Sequence, residues 1–282
     1  MRRVHRLLIL LVGGTAILVV GAGLAAWGVS TGLIQVNHPS TQEFPVQGLD
    51  VSNHQAPIDW PAVRREGYSF VYVKATEGGD WTDGRFVEHT TGARAVGLRV
   101  GAYHYFTFCR DGAEQGRHAV DVIGPQHRPG DLPLVVDLEF GGNCSHVPTV
   151  AELDREFGAF DAVVRAAFGR PPVLYVTEDM LRRYVDGAAA RGSALAGHRL
   201  WIRATLGRPA GGCDRWAFWQ FANGGRVDGV DGAVDLNAYC GDAPAAHQDL
   251  GTSFPPGPDP AAWVPTVGPR PPARPGRSTY RS

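Results

Sequence analysis

Charge of one sign is what this chain most plainly lacks: 27 Lys and Arg stand against 28 Asp and Glu, a formal net charge of -1 over 282 residues. Nothing in that balance offers an electrostatic footprint for nucleic acid, and none is expected as a partner. No Cys-x-x-Cys pair and no His-x-x-x-His or His-Glu spacing occurs, which argues against zinc. No glycine-rich phosphate loop follows the first predicted strand, which argues against an open nucleotide-binding sheet. No cofactor is called for by any motif. Apolar residues, at 44%, are plentiful enough for a sizeable core.

The N-terminus is strongly patterned. Met1-Arg2-Arg3-Val4-His5-Arg6 precedes an uncharged run from Leu7 to Val29, long enough to cross a bilayer. Arginines ahead of such a run hold the N-terminus in the cytoplasm and send the remainder outside. Residues 1–29 therefore read as an uncleaved signal anchor, with a signal peptide cleaved near Ala25 and Ala26 as the alternative; either way the chain is extracytoplasmic, anchored or secreted. Residues 30–43 read as a linker between membrane and domain, 44–245 as the catalytic domain, and 246–282, rich in proline, as a disordered tail. Cys109, Cys144, Cys213 and Cys240 all lie beyond the apolar run, where disulfides persist. Three pairings are possible. Cys109 and Cys144 each fall just past a predicted strand, which favours joining them and leaves Cys213 with Cys240.

Within the domain, apolar segments alternate between strand and helix. Strands are predicted at Leu49–Val51, Ser69–Ala75, Arg99–Phe106, Leu134–Phe140, Val173–Val176, Leu200–Ile202, Trp216–Trp219 and Ala233–Leu236. Helices are predicted from the Asp59 N-cap to Gly67, over Arg85–Val96 and Ala113–Ile123, and from a capping box at Thr149 and Glu152, with later ones short or absent. Eight strands in about 200 residues, alternating with helices, argue for an irregular, TIM-like β/α barrel of parallel strands.

The strand Leu134–Phe140 carries two carboxylates where aliphatic residues are expected. Asp137 and Glu139 point the same way, roughly 6.5 to 7 Å apart at Cα. Two like charges on one apolar wall cannot both ionise cheaply, so one group should stay a proton donor near neutral pH. The bland alternatives are pairing with arginines or binding a divalent cation. Other acids favour the chemical reading: Asp50 lies on the first strand, Glu77 follows the second and Asp235 lies on the last, which neighbours the first in a closed barrel. Reactive groups of parallel barrels gather at the C-terminal strand ends. Tyr103, Tyr105, Tyr175, Trp201 and Trp219 accompany them, and an acid-lined, aromatic-walled mouth suits a polysaccharide. His104 reads as a hydrogen-bonded core histidine rather than a proton shuttle.

Taken in order, Gly48-Leu49-Asp50-Val51-Ser52-Asn53-His54-Gln55, Ile58-Asp59-Trp60, Val73-Lys74-Ala75-Thr76-Glu77-Gly78, Gly101-Ala102-Tyr103-His104-Tyr105-Phe106, Val136-Asp137-Leu138-Glu139 and Trp219-Gln220-Phe221 resemble the glycoside hydrolase family 25 lysozymes, the Chalaropsis-type N-acetylmuramidases. The resemblance runs from about Val46 to Asp242. It implies metal-free hydrolysis of the β-1,4 bond between N-acetylmuramic acid and N-acetylglucosamine in peptidoglycan glycan strands, and the chain is expected to act as a monomer. It further implies that Glu139 is the general acid, that Asp137 assists through the substrate's 2-acetamido group or more directly, and that Asp50 and Asp235 complete the acid set. One departure stands out. After Leu200-Trp201-Ile202 the family usually has a small residue and, two positions later, a tyrosine, whereas Arg203 and Thr205 follow here. The competing functions are a chitinase-like hydrolase and a wall-binding module without turnover.

Overall fold

The computed structural model describes residues 19–25, 27–28, 34–55, 57–242, 245 and 250. Most of the apolar N-terminal run and nearly all of the proline-rich tail, and so the expectations placed on them, lie outside the described residues. Among the described residues no helix is long and apolar enough to cross a membrane. Part of the stretch read as a linker lies against the domain: Asn37 donates to the carbonyls of Ala204 and Phe221, both at 3.2 Å.

Nine strands form one sheet: β1 Gln47–Val51, β2 Phe70–Glu77, β3 Trp81–Thr82, β4 Arg99–Tyr105, β5 Val135–Leu138, β6 Val173–Thr177, β7 Leu200–Arg203, β8 Trp216–Gly225 and β9 Val234–Tyr239. Their order is β1-β9-β8-β7-β6-β5-β4-β2, closed by β1 against β2, with the two-residue β3 folded back on the end of β2. Eight strands thus make a closed barrel, as predicted. The expectation of uniformly parallel strands is corrected at one place: β9 runs antiparallel to both β8 and β1. Side-chain alternation is the same for either strand direction, so the sequence pattern carries no sign of the reversal.

The first helices cross over between parallel strands, as such connections require. Trp60–Arg65 is capped by Asp59, which accepts from the Ala62 amide at 3.1 Å. Val150–Phe168 opens on a reciprocal cap, in which Thr149 Oγ1 accepts from the Glu152 amide and Glu152 accepts from the Thr149 amide at 2.7 Å. Leu153, Phe157, Phe160 and Val164 line that helix's buried face. After β6 the helices shrink to short turns, Glu178–Met180, a wide turn at Leu181–Val185 and a three-residue turn at Ala189–Arg191. Both disulfides form in the preferred pairing, Cys109 with Cys144 and Cys213 with Cys240.

Alternation splits the apolar residues into two cores. Leu49, Val71, Val73, Val136, Leu138, Leu174, Ile202 and Trp219 face the helices and outer loops, while Phe70, Tyr72, Val135, Val173, Trp201, Phe218 and Tyr239 fill the barrel's interior. The interior is tightly packed at Gly101, where a Cβ would meet the Tyr72 ring at 2.1 Å.

Candidate active site

Above that plug the inward positions turn polar, and an open cleft of about 270 Å³ forms at the C-terminal ends of the parallel strands. Asp50, Asp137, Glu139 and Asp235 all line it, so the structure gathers the four predicted acids. Asp50 and Asp235 are register partners across β1 and β9. Asp235 is the second residue of a reversed strand, and it is this reversal that brings the strand's N-terminal end to the mouth.

Asp50 is held from beneath by two amides. Asn237 Nδ2 donates to its Oδ2 at 2.7 Å and Gln220 Nε2 to the same oxygen at 3.0 Å. Each amide is oriented in turn: the Trp201 indole donates to Asn237 Oδ1 at 2.9 Å, and the Tyr175 hydroxyl to Gln220 Oε1 at 2.9 Å. With both amide oxygens occupied, only N–H groups remain to face Asp50.

Burial raises all four carboxyls above their ordinary range. For Asp137 burial acts first and Glu139's charge second, and the shift is large. For Asp235 burial is reinforced by Asp50. Asp50 is raised by burial and held back by its Asn237 and Gln220 hydrogen bonds, and Glu139 is raised by burial and held back by Arg203. Asp137 Oδ1 is buried and has no hydrogen-bond partner among the described residues. In such a cluster the carboxyls cannot all ionise, and protons stay in the cleft at pH values where exposed acids have lost theirs.

The aromatics divide. Tyr103, Tyr105, Tyr175 and Trp201 line the cleft. Tyr105 also ties down the loop after β5 through its hydroxyl, which donates to the Gly141 carbonyl at 2.6 Å. Trp219, expected to contact sugar, is instead buried on the helix side, packed on Phe44, Trp216 and Phe221 with its indole N–H on the Ala204 carbonyl at 2.8 Å. Its neighbour Gln220 faces the cleft, so alternation turns Trp219 away. Glu77 is likewise not part of the cleft lining; it pairs with Lys74 at 2.7 Å. Lys74 does line the cleft, with its ammonium 5.0 Å from the ring centres of both Trp81 and Tyr105. His104 is a core residue: it is buried between Thr76 Oγ1 at 2.8 Å and Gln115 Oε1 at 3.3 Å, and burial lowers it to about 3.

Sequence reasoning passed over Asn237 and Lys74 as site residues and left Gln220 unassigned. Asn237 carried a usable signal, since Asp235 and Asn237 repeat on β9 the pattern of two polar residues, two apart on an apolar strand, that singled out Asp137 and Glu139. Arg203, noted only as a departure, turns out to line the cleft, with Nη1 3.5 Å from Glu139 Oε2.

Comparison with known proteins agrees with this geometry. The family model described as glycosyl hydrolases family 25 matches residues 49–230. Lysozyme M1 of Streptomyces globisporus is 33% identical over 243 residues, covering 79% of this chain and 80% of its own. The N,O-diacetylmuramidase of Chalaropsis sp is 28% identical over 210 residues, covering 67% and 96%. Among solved structures, a family 25 glycosyl hydrolase from Bacillus anthracis superposes with a TM-score of 0.68 at 27% identity, covering 78% of this chain and 98% of its own.

Proposed function

This chain belongs to the glycosyl hydrolases of family 25, is a peptidoglycan hydrolase of the lysozyme type, and we propose that in it Glu139 is the acid that breaks the glycosidic bond. The observation that carries the assignment is the placement of Glu139: it stands at the open end of a carboxyl cluster whose other members are deeper, with 19% of its side chain exposed to the cleft. Held protonated by burial and by its acidic neighbours, it gives its proton to the leaving oxygen as the C–O bond parts. Asp137, whose buried Oδ1 has no hydrogen-bond partner among the described residues, accepts a hydrogen bond from the N–H of the substrate's 2-acetamido group, whose oxygen bonds to the anomeric carbon as the bond to the leaving oxygen breaks. Water then bonds to the anomeric carbon, the bond from the acetamido oxygen breaks, and the water's proton returns to the Glu139 carboxylate. Asp50 and Asp235 keep the cleft negative and oppose ionisation of Glu139, while Tyr103, Tyr105 and Tyr175 form walls against which sugar rings pack.

Glu139→Gln tests the assignment. It preserves shape and removes the transferable proton, so release of muropeptides with new N-acetylmuramic acid reducing ends should fall by a factor of about 100 to 10,000 with an unchanged melting curve. A Gln variant as active as the parent contradicts it, and cleavage of chitin in preference to peptidoglycan would redirect the substrate reading. The chain acts outside the cytoplasm, consistent with its two disulfides. We assign residues 1–29 as the anchor that holds it at the membrane; recovery of the full chain in membranes after a high-salt wash supports that, and recovery only in the medium contradicts it.

A further inference from the structure

Two cations line the cleft, and they differ in how well they are matched. Lys74 is closely paired with Glu77 at 2.7 Å and flanked by the Trp81 and Tyr105 rings. Arg203, the last residue of β7, has no such close partner. Its Nη1 approaches Glu139 Oε2 at 3.5 Å, a single contact well outside the distance at which guanidinium and carboxylate form a two-pronged pair, and it lies against the Tyr175 hydroxyl, which already donates to Gln220. One third of the Arg203 side chain is exposed, into the cleft.

That arrangement is at odds with an acid that must hold a proton. Arg203 and Lys74 favour the ionised form of Glu139, while Asp50, Asp179 and Asp137 oppose it. A guanidinium beside the acid hinders proton donation unless another anion engages it in the productive complex. The substrate can supply one: each muramic acid unit has a lactyl carboxylate, either free or extended by a peptide that carries carboxylates of its own. We propose that Arg203 holds a carboxylate borne by the muramic acid side chain, and that this drawing-off of the guanidinium leaves Glu139 its proton. Arg203 is thereby a substrate-reading residue at the position where the chain departs from its family's usual small residue. The inference rests on the reading of Glu139 as the acid.

The test uses the full chain, with arginine, Arg203→Lys and Arg203→Met at this position, on four glycan preparations. Peptide-free strands with free lactyl carboxylates are compared with the same strands after their carboxylates have been converted to methylamides. Peptide-bearing strands, whose lactyl groups are already amides, are compared before and after the same conversion. The parent enzyme should lose about ten- to a hundredfold in kcat/KM on amidation in one of the two pairs, the loss expected for one charge-assisted hydrogen-bonded contact. A loss on peptide-free strands assigns the lactyl carboxylate, and a loss on peptide-bearing strands assigns the stem peptide. Arg203→Met should be indifferent to amidation, slower than the parent on the strands that carry the recognised carboxylate and at least as fast as the parent on the amidated ones, with Arg203→Lys recovering part of the preference. A purely structural arginine lowers all rates and leaves the ratios alone, so a parent-like ratio in Arg203→Met overturns the inference. So does a parent indifferent to amidation in both pairs. Failure of the underlying reading looks different: Glu139→Gln then remains active, whatever the ratios.

Discussion

Replacing Asn237 with alanine should change the pH at which the enzyme stops working, although Asn237 touches neither Glu139 nor, in the proposed mechanism, the reacting atoms. Its side chain makes the shorter of the two hydrogen bonds to Asp50, at 2.7 Å, and receives the Trp201 indole proton at 2.9 Å. A hydrogen bond to a charged group contributes about 1.5 to 3 kcal/mol, so losing this one pushes Asp50 further up. Burial already raises Asp50, and the two amides are what restrain it. Without one of them Asp50 keeps its proton through the working range, and its negative charge no longer faces Glu139. That charge helps hold Glu139 up, so Glu139 ionises at lower pH. The alkaline limb of kcat/KM against pH, where the acid is lost as pH rises, should therefore move down by a few tenths of a unit to about one unit. The assay is release of reducing ends from soluble glycan strands across the pH range, in the parent and in Asn237→Ala, with melting curves to correct for the unpaired indole. A lower rate with an unmoved alkaline limb refutes the chain of reasoning from amide to Asp50 to Glu139.

Further consequences concern stability. Asp137 is raised by burial, so the folded state favours its protonated form; its contribution to stability is full below the unfolded carboxyl range and is lost as pH climbs toward the raised value. Asp137→Asn should accordingly raise the melting temperature at pH 7, with the gain vanishing near pH 3, and an equal gain at both pH values would contradict the desolvation argument. Trp219→Ala should cost about 3 to 5 kcal/mol in urea unfolding while leaving KM of the folded enzyme unchanged, and a raised KM would return Trp219 to the substrate. Removing the bridge between Cys213 and Cys240, 27 residues apart, by a double serine replacement should lower unfolding free energy by about 3.5 kcal/mol on loop-closure grounds, read from the same titration.

What was legible in the chain followed from local rules. Alternation on Leu134–Phe140 gave the paired acids, a capping box gave the start of the longest helix, and strand ends gave the disulfides. The same alternation, applied across Trp219 and Gln220, would have shown that only one of the two can face the cleft; two sugar-suited residue types in sequence hid the choice. The reversal of β9 was not legible from alternation, because period-two patterning is blind to strand direction and one of its two partners, β1, lies nearly 190 residues away in sequence, as in the bond from Asn237 to Asp50. Nor was the environment of Arg203, since a charged residue at a strand end reads equally well as solvated surface or as part of a site.

Carbon-13 titration of the labelled carboxyl side chains, with Asp137 and Glu139 assigned through single substitutions, bears on the core of the account. Burial and mutual repulsion require at least one of the cleft's carboxyls to retain its proton well above the ordinary carboxylate range, and Glu139 to titrate higher than an exposed glutamate. Four carboxyls that all ionise together near pH 4 would contradict it.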